Sequence, residues 1–358
     1  MISYLRPNAD DLPYVDDHGL IVSVMVLTHF VLKHTMDKLM ESKRYAKLSL
    51  SFDGHISMLA QGDCSPGELA AKLGKSKQLC SKTIKELENL GLIERRKNPE
   101  DSRSSLLSLS RLGRQLVADG FKVTSELDRQ FADAIGEERL LQLIAILEKL
   151  CQNLGLVFPA SYRVLALENT DTTLLRPTRL NLMLPQLDNY FQQALLSSLT
   201  EKGFPGLKPS FGQVLGMINR ESRKMQTIAA VSGVSKQAIA VIAAELELLG
   251  YITREPDLSD KRQFILSLSP LGQKLVEESA RSVAQLEASI SERFSPEENA
   301  LLDETMRALY LLVARAYNSP SALSANIQQL SEKLLNELGV SGAKALAKQL
   351  MTITREEQ

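Results

Sequence analysis

The stretch "KSKQLCSKTIKELENLGLIERRKNPEDSRSSLLSLSRLGRQLV" at 75–117 decides the fold, because it returns at 234–276 as "VSKQAIAVIAAELELLGYITREPDLSDKRQFILSLSPLGQKLV". In the first of the two, Ser76 can cap a helix, apolar residues follow at helical spacing, and Gly91 ends it. Just upstream, "SPGELAAKL" at 65–73 places Ser65 and Glu68 as a capping box with Pro66 at the first helical position, and Gly74 closes that short helix in a tight turn. A short helix, a tight turn and a second helix make a helix-turn-helix. After Gly91, "LIERR" and "SLLSLS" read as short strands around the polar turn "KNPEDSR", a two-stranded wing, and Ser110 opens another long helix.

The repeat holds a single register. Gly74 aligns with Gly233, Gly91 with Gly250, Asp101 with Asp260 and Gly113 with Gly272, each pair 159 residues apart, and the offset carries back without a gap to Phe52 and Met58 over Phe211 and Met217. A weaker echo, "LRP" at 5–7 and 175–177, needs a different register. The second short helix, "KMQTIAAVS", lacks the capping box, while Ser235 and the Ser269-Pro270 pair keep the later helix starts. Long apolar-rich helices are expected over 19–42 and 182–202, and again at about 136–154 and 295–317; helices this long need partners. The division that follows is a first unit over 1–154, a connector over 155–181, a second unit over 182–317 and an appended amphipathic helix over 318–358 with Ile327, Leu330, Leu334, Leu335 and Leu338 on one stripe.

At 358 residues and 44% hydrophobic content the chain can bury two or three cores, since a domain takes about 100 to 200 residues. A net charge of -1 argues against a globally basic nucleic-acid coat but permits a local basic patch. Cys64, Cys80 and Cys151 are odd in number and without paired spacing, which fits a reducing compartment and is read as cytoplasmic. The start "MISYLRPNADD" lacks the pattern of a leader, and the apolar run "LIVSVMVL" at 20–27 is far shorter than the about 20 residues that span a bilayer, so no membrane segment is expected.

The order of helix-turn-helix, Asp-x-Arg turn (Asp101 to Arg103, Asp260 to Arg262) and strand ending in Leu-Ser-x-x-Gly resembles the MarR family of bacterial transcription regulators in both copies. The resemblance implies a mainly α fold: two winged helix-turn-helix domains with small β-wings, joined by long terminal helices that pair within one chain where the family pairs two chains. It also implies double-stranded DNA as partner, a repressor role, no resident cofactor, a small phenolic or other effector, and a monomer that acts as a pseudo-dimer. The arginine matching Arg103 enters the minor groove in the family while the aspartate matching Asp101 holds the turn.

In the first copy Leu79, Cys80, Thr83, Leu87 and Leu90 are expected on the core face of the third helix, leaving Ser76, Lys77, Gln78, Ser81, Lys82 and Lys85 outward. Gln can bond adenine bidentately, Lys can reach guanine or phosphate and Ser can serve either. The wing adds Arg95, Arg96, Lys97 and Arg103, whose cations suit a narrow minor groove, although Arg95, which recurs as Arg254, could equally be a structural ion-pair partner. Between 72 and 111 ten Lys and Arg stand against five Asp and Glu, a local +5. The bland reading is a solvated helix face. Its place on the third helix of a helix-turn-helix favours DNA contact.

In the second copy Ser235, Lys236 and Gln237 remain at the helix start and Asp260 and Arg262 in the wing, but Ala240, Val241 and Ala244 replace Ser81, Lys82 and Lys85, and Glu255 and Pro256 replace Arg96 and Lys97. Across 231–270 four Lys and Arg face five Asp and Glu. Each lost phosphate contact weakens binding and its salt dependence. Three readings stand open: a backbone-only clamp, a protein-docking face, and relaxed selection after duplication. The chain shows no phosphate-cradling glycine loop and no nucleophile motif, so an enzyme is not expected. His18, His29, His34 and His55 follow no common metal spacing. Cys80 reads as a buried small hydrophobe, with redox sensing as the minor alternative.

Overall fold

The computed structural model describes residues 19–45, 47–73, 76–98, 105–156, 179–219, 221–232, 235–257 and 263–317. Two winged helices hang from a common set of long helices. The elements are α1 (Leu20–Met40), α2 (Asp53–Gln61), α3 (Pro66–Lys72), α4 (Lys77–Asn89), β1 (Ile93–Lys97), β2 (Ser105–Leu109), α5 (Arg111–Ile135) and α6 (Glu137–Asn153) in the first half. The second half repeats the order as α7 (Arg179–Glu201), α8 (Phe211–Ile218), β3 (Arg223–Lys224), α9 (Met225–Ser232), α10 (Lys236–Leu248), β4 (Ile252–Pro256), β5 (Phe264–Leu268), α11 (Pro270–Ser291) and α12 (Pro296–Tyr317). The expected stripe over 318–358, the "LRP" echo, Gly74 and Gly233 lie outside the described residues.

Local chemistry starts the helices where the residues foretell. The Ser65 N–H donates to Glu68 Oε2 at 2.7 Å and the Glu68 N–H returns to Ser65 Oγ at 3.2 Å, closing the capping box on α3. Ser76 Oγ accepts from the Leu79 N–H at 3.3 Å, and Ser235 Oγ from the Ala238 N–H at 3.2 Å. Gly91 and Gly250 leave α4 and α10 with φ of +69° and +78°, a left-handed conformation that glycine adopts without strain.

The Leu-Ser-x-x-Gly joint has a physical explanation, given twice. Ser110 Oγ donates to the Gly91 carbonyl at 2.5 Å and accepts from the Gly113 N–H at 3.0 Å; Ser269 does the same to Gly250 and Gly272 at 2.5 and 3.0 Å. The serine thus ties the end of the third helix to the start of the long one. At Gly113 a Cβ would overlap the Leu92 carbonyl oxygen, and at Gly272 the Tyr251 carbonyl oxygen, so glycine is required by close backbone approach.

The first winged helix packs Leu69, Cys80, Ile84, Leu87 and Leu107 into one core. Leu79 was expected in that core, but its side chain is 53% exposed, and Ile84 at 1% takes the place. The buried face of α4 is centred on Cys80, Thr83, Ile84 and Leu87, so the expected stripe keeps Cys80, Thr83 and Leu87 and turns toward Ile84. β1 pairs antiparallel with β2, Ile93 opposite Leu109 through Lys97 opposite Ser105. The second wing is larger than the expected two strands: β3 joins β5 to give the order β3-β5-β4. At the equivalent place in the first half there is a single bridge, Cys64 to Leu107, so the second copy extends a pairing already present. Lys224 Nζ lies 2.6 Å from the buried Asp257 carboxylate and pins that third strand to the wing.

The long helices of both halves build one shared core. α1 runs along α7 and α12, and α6 along α7 and α12. Val24 and Leu27 of α1 meet Leu184 and Leu187 of α7, with Leu143 and Leu147 of α6 and Leu309 of α12, all fully buried. Exposed ion pairs cross the same boundary, Lys149 to Glu298 at 2.7 Å and Arg139 to Glu304 at 2.9 Å. Solvent screens both pairs, so apolar burial dominates the union. Glu287 of α11 accepts the Ile21 N–H at 2.9 Å, placing an acid of the second half at the positive end of α1. Among the described residues α1 alone is long and apolar enough to cross a membrane by length and composition, a qualification the short run at 20–27 does not foretell; much of it is instead buried against its neighbours.

Asp188 of α7 sits against this core, and burial pushes its carboxyl up to about 6 despite the bond donated by Gln192 Nε2 at 2.9 Å. The folded value exceeds the unfolded one of about 3.9, so stability is full below about pH 4 and falls as pH rises through 6. Urea unfolding of Asp188→Asn is expected to show a gain of roughly 1 to 3 kcal/mol at pH 7.5 and almost none at pH 4. An equal gain at both would show that the ionised carboxylate is not the cause.

Candidate nucleic-acid interface

Because Cys80, Thr83, Ile84 and Leu87 turn inward, helical geometry sends Lys77, Gln78, Ser81, Lys82 and Lys85 outward together, and all five are exposed. Among the described residues, no ion-pair partner holds the ammonium groups of Lys77, Lys82 or Lys85. The α4 surface is therefore a row of three cations with an amide and a hydroxyl between them, at the dimensions of a helix that a major groove admits. Ser76 stands at its N-terminus as the cap, its hydroxyl engaged with Leu79 N–H.

The wing residues divide. Arg95 Nε donates to Glu88 at 3.0 Å and its Nη1 to Ser105 at 2.9 Å, and the second half repeats the first contact between Arg254 and Glu247 at 2.6 Å. This arginine ties the wing to the third helix in both copies. Arg96, read as a DNA contact, binds Asp63 at 2.7 Å and Ser108 at 3.1 Å, so its guanidinium is already engaged at the wing root. Its partner lies 33 residues away in the turn before α3, beyond any local pattern. Lys97 is exposed. Asp101, Arg103, Asp260 and Arg262 lie outside the described residues.

On α10 Ser235, Lys236 and Gln237 are exposed at the first turn. Beyond them the outward face is apolar: Val241 is 59% exposed, Ala244 is exposed and Leu248 is 87% exposed, while Ala240 is half-buried. Leu248 extends the substitution by another turn, since it stands where the first copy has Asn89. The sequence carries that signal in the Asn89 and Leu248 pair, one turn beyond the substitutions at Ala240, Val241 and Ala244.

The histidines and cysteines form a different pattern from a ligand set. His55 is fully buried with its Nε2 3.6 Å from Cys80 Sγ, His34 stacks on Phe30 with centroids 5.7 Å apart, and burial lowers the His34 pKa with help from Lys38. His18 lies outside the described residues. All three cysteines are buried and none is in a disulfide; burial raises the Cys64 thiol and pushes Cys151 up to about 12, which disfavours the reactive thiolate. Among the described residues no three or more His, Cys, Asp or Glu side chains gather as a metal set.

A helix-turn-helix followed by a β-wing, with the third helix offering cations and an amide outward, defines a winged-helix DNA-binding protein. The chain belongs to the MarR family of transcriptional regulators. The family's sequence profile matches it twice, over residues 56–104 and 206–263. It is 30% identical over 117 residues to the uncharacterized HTH-type transcriptional regulator YdcH of Bacillus subtilis (strain 168), covering 32% of this chain and 71% of that one. It is also 30% identical over 87 residues to the HTH-type transcriptional regulator BilQ of Clostridium symbiosum (strain WAL-14163), covering 24% of this chain and 60% of that one. Among solved structures it is similar to the YusO protein from Bacillus subtilis, at 23% identity over 42% of this chain and 100% of that one, with a TM-score of 0.32.

Proposed function

We infer that the chain is a single-chain pseudo-dimeric transcription regulator, a cytoplasmic repressor without catalytic activity, whose first unit reads sequence and whose second unit adds backbone contact. The observation that carries the asymmetry is the outward face of the third helix, cationic on α4 and apolar on α10. Lys77, Gln78, Ser81, Lys82 and Lys85 would enter the major groove, with Lys97 and Arg103 of the wing over the adjacent backbone and minor groove and Asp101 holding that turn. Ser235, Lys236 and Gln237, with Arg262 of the second wing and Asp260 in the role of Asp101, would supply a weaker grip. Arg96, bound to Asp63, serves the wing root in this reading.

A shared core of long helices supports the pseudo-dimer, because it is buried already within one chain. The corresponding division is a first unit over 1–154, a connector over 155–181, a second unit over 182–317 and an extension over 318–358. Fusion frees the halves from identity, which a two-fold homodimer on a palindrome cannot escape.

The exposed Val241 and Leu248 favour one other reading, an adaptor that docks a protein through α10 and binds DNA weakly. An unbiased selection of duplexes bound by the full chain, with light scattering of the complex, separates the two. The regulator reading expects enrichment of one half-site, without a symmetric second half, and one 39.6 kDa chain per duplex. A symmetric palindrome or two chains per site would overturn the asymmetric pseudo-dimer, and no enrichment would favour the adaptor.

A further inference from the structure

The apolar face of α10 stands in the same frame as the cationic face of α4. Ile239, Ala243 and Leu246 are buried where α4 buries Cys80, Ile84 and Leu87, so both helices present the same side outward. Glu247 ties α10 to its wing through Arg254 at 2.6 Å, as Glu88 ties α4 through Arg95 at 3.0 Å. On the outward side the positions of Gln78, Lys82 and Lys85 hold Gln237, Val241 and Ala244, spaced i, i+4 and i+7 along one row. All three are exposed, Val241 to 59%.

Charge does not keep this row from DNA. Lys236 stands at the N-terminus of α10, the end that carries positive partial charge and that in a reading helix touches the base edges. Both acids of α10 are ion-paired, Glu247 with Arg254 and Glu245 with Lys208 at 2.7 Å, so their repulsion of phosphate is offset. In the major groove an apolar side chain finds one apolar group to cover, the C5 methyl of thymine. Against guanine, cytosine or adenine it strips water from donors and acceptors and returns no hydrogen bond.

We propose that α10 reads thymine by methyl contact: Val241 and Ala244 cover C5 methyls, while Gln237, one turn nearer the N-terminus, bonds N6 and N7 of an adenine. This contact goes beyond the backbone grip given to the second unit, and it rests on the regulator reading. The fused halves become chemically different readers. Where Lys82 and Lys85 of the first unit meet phosphate or guanine, the second unit selects A·T pairs through a contact that releases no counterions.

The test uses the full chain and three duplexes that share the selected half-site. They differ in the flanks on both sides of it, about one and a half helical turns of A·T, A·U or G·C pairs. Exchanging thymine for uracil removes the methyl from the major groove, keeps the pairing, and leaves unaltered the minor-groove edge offered to the wing. Anisotropy titration is expected to show A·T flanks bound roughly threefold to tenfold more tightly than A·U flanks, one buried methyl accounting for a factor of about four. G·C flanks are expected to bind no better than A·U. Val241→Ala is expected to reduce the A·T to A·U ratio below about twofold, at an exposed position where alanine favours the helix. Leu248→Ala, two turns further on at the C-terminal end of α10, is expected to leave the ratio intact. Equal binding of A·T and A·U flanks by the unaltered chain, a ratio undiminished in Val241→Ala, or one lost equally in Leu248→Ala would overturn the proposal. Tight binding without any methyl effect sinks this contact and leaves the regulator reading standing. Binding of none of the duplexes sinks the regulator reading itself and leaves the α10 face to a protein.

Discussion

Replacing Lys82 and Lys85 together by alanine lowers affinity for a selected duplex by roughly one to three orders of magnitude and flattens the slope of log affinity against log salt by about two. Both side chains are exposed on α4, and among the described residues neither ammonium has an ion-pair partner, so their removal costs binding without disturbing the fold. The salt slope is the decisive readout, because a folding defect lowers the active fraction at every salt concentration equally. In the second half the same positions hold Val241 and Ala244, and the reciprocal change, Val241→Lys with Ala244→Lys, is expected to steepen the slope by up to two. On the same scale Arg103→Ala should cost far more than Arg262→Ala. Fluorescence anisotropy across a salt series measures all four. An unchanged slope in the α4 variant, or equal losses from the two wing arginines, would sink the asymmetric reading.

Gly113→Ala is expected to destabilise the first winged helix by about 3 kcal/mol or more, and Gly272→Ala the second by a similar amount. The added methyl would fall on the Leu92 carbonyl oxygen in one case and the Tyr251 carbonyl oxygen in the other, with a leucine methyl 3.2 Å away in both. Neither backbone can retreat easily, because the Ser110 N–H donates to Leu92 O at 3.0 Å and the Ser269 N–H to Tyr251 O at 3.1 Å, binding the same residues into the wing. Thermal unfolding followed by circular dichroism reads the effect. Gly120→Ala on the same helix α5 is the control: the nearest atom to its Cβ is 4.0 Å away, so it should gain about 0.5 to 1 kcal/mol from helix propensity. If all three glycines respond alike, steric exclusion at the joint is not the cause.

The two copies also show where sequence reading succeeds and fails. Caps, turns and strand pairs depend on neighbours a few residues apart, so Ser65 with Glu68, Ser76, Ser110 and Gly91 were legible and each now has a named hydrogen bond or a left-handed φ. Leu79 and Ile84 flank the same apolar stripe of α4 on opposite sides, and which flank faces the core depends on what the helix packs against: Ile84 is buried and Leu79 is not. The ion pair of Arg96 with Asp63 is not legible in the sequence, because Asp63 lies 33 residues away. The third strand of the second wing needed Lys224 to find Asp257, again across a distance no local pattern spans.

What the sequence determined by itself is the unit and its repetition: the order of elements, their caps, and the fewer cations on α10 than on α4. These follow from short-range backbone geometry and from identity at a constant offset. What the tertiary structure alone decided is how the halves are joined, with α1 buried against α7 and α12. Apolar faces on long helices state that they must be covered, but burial is non-directional, so the choice of cover is made by the packing of the whole chain.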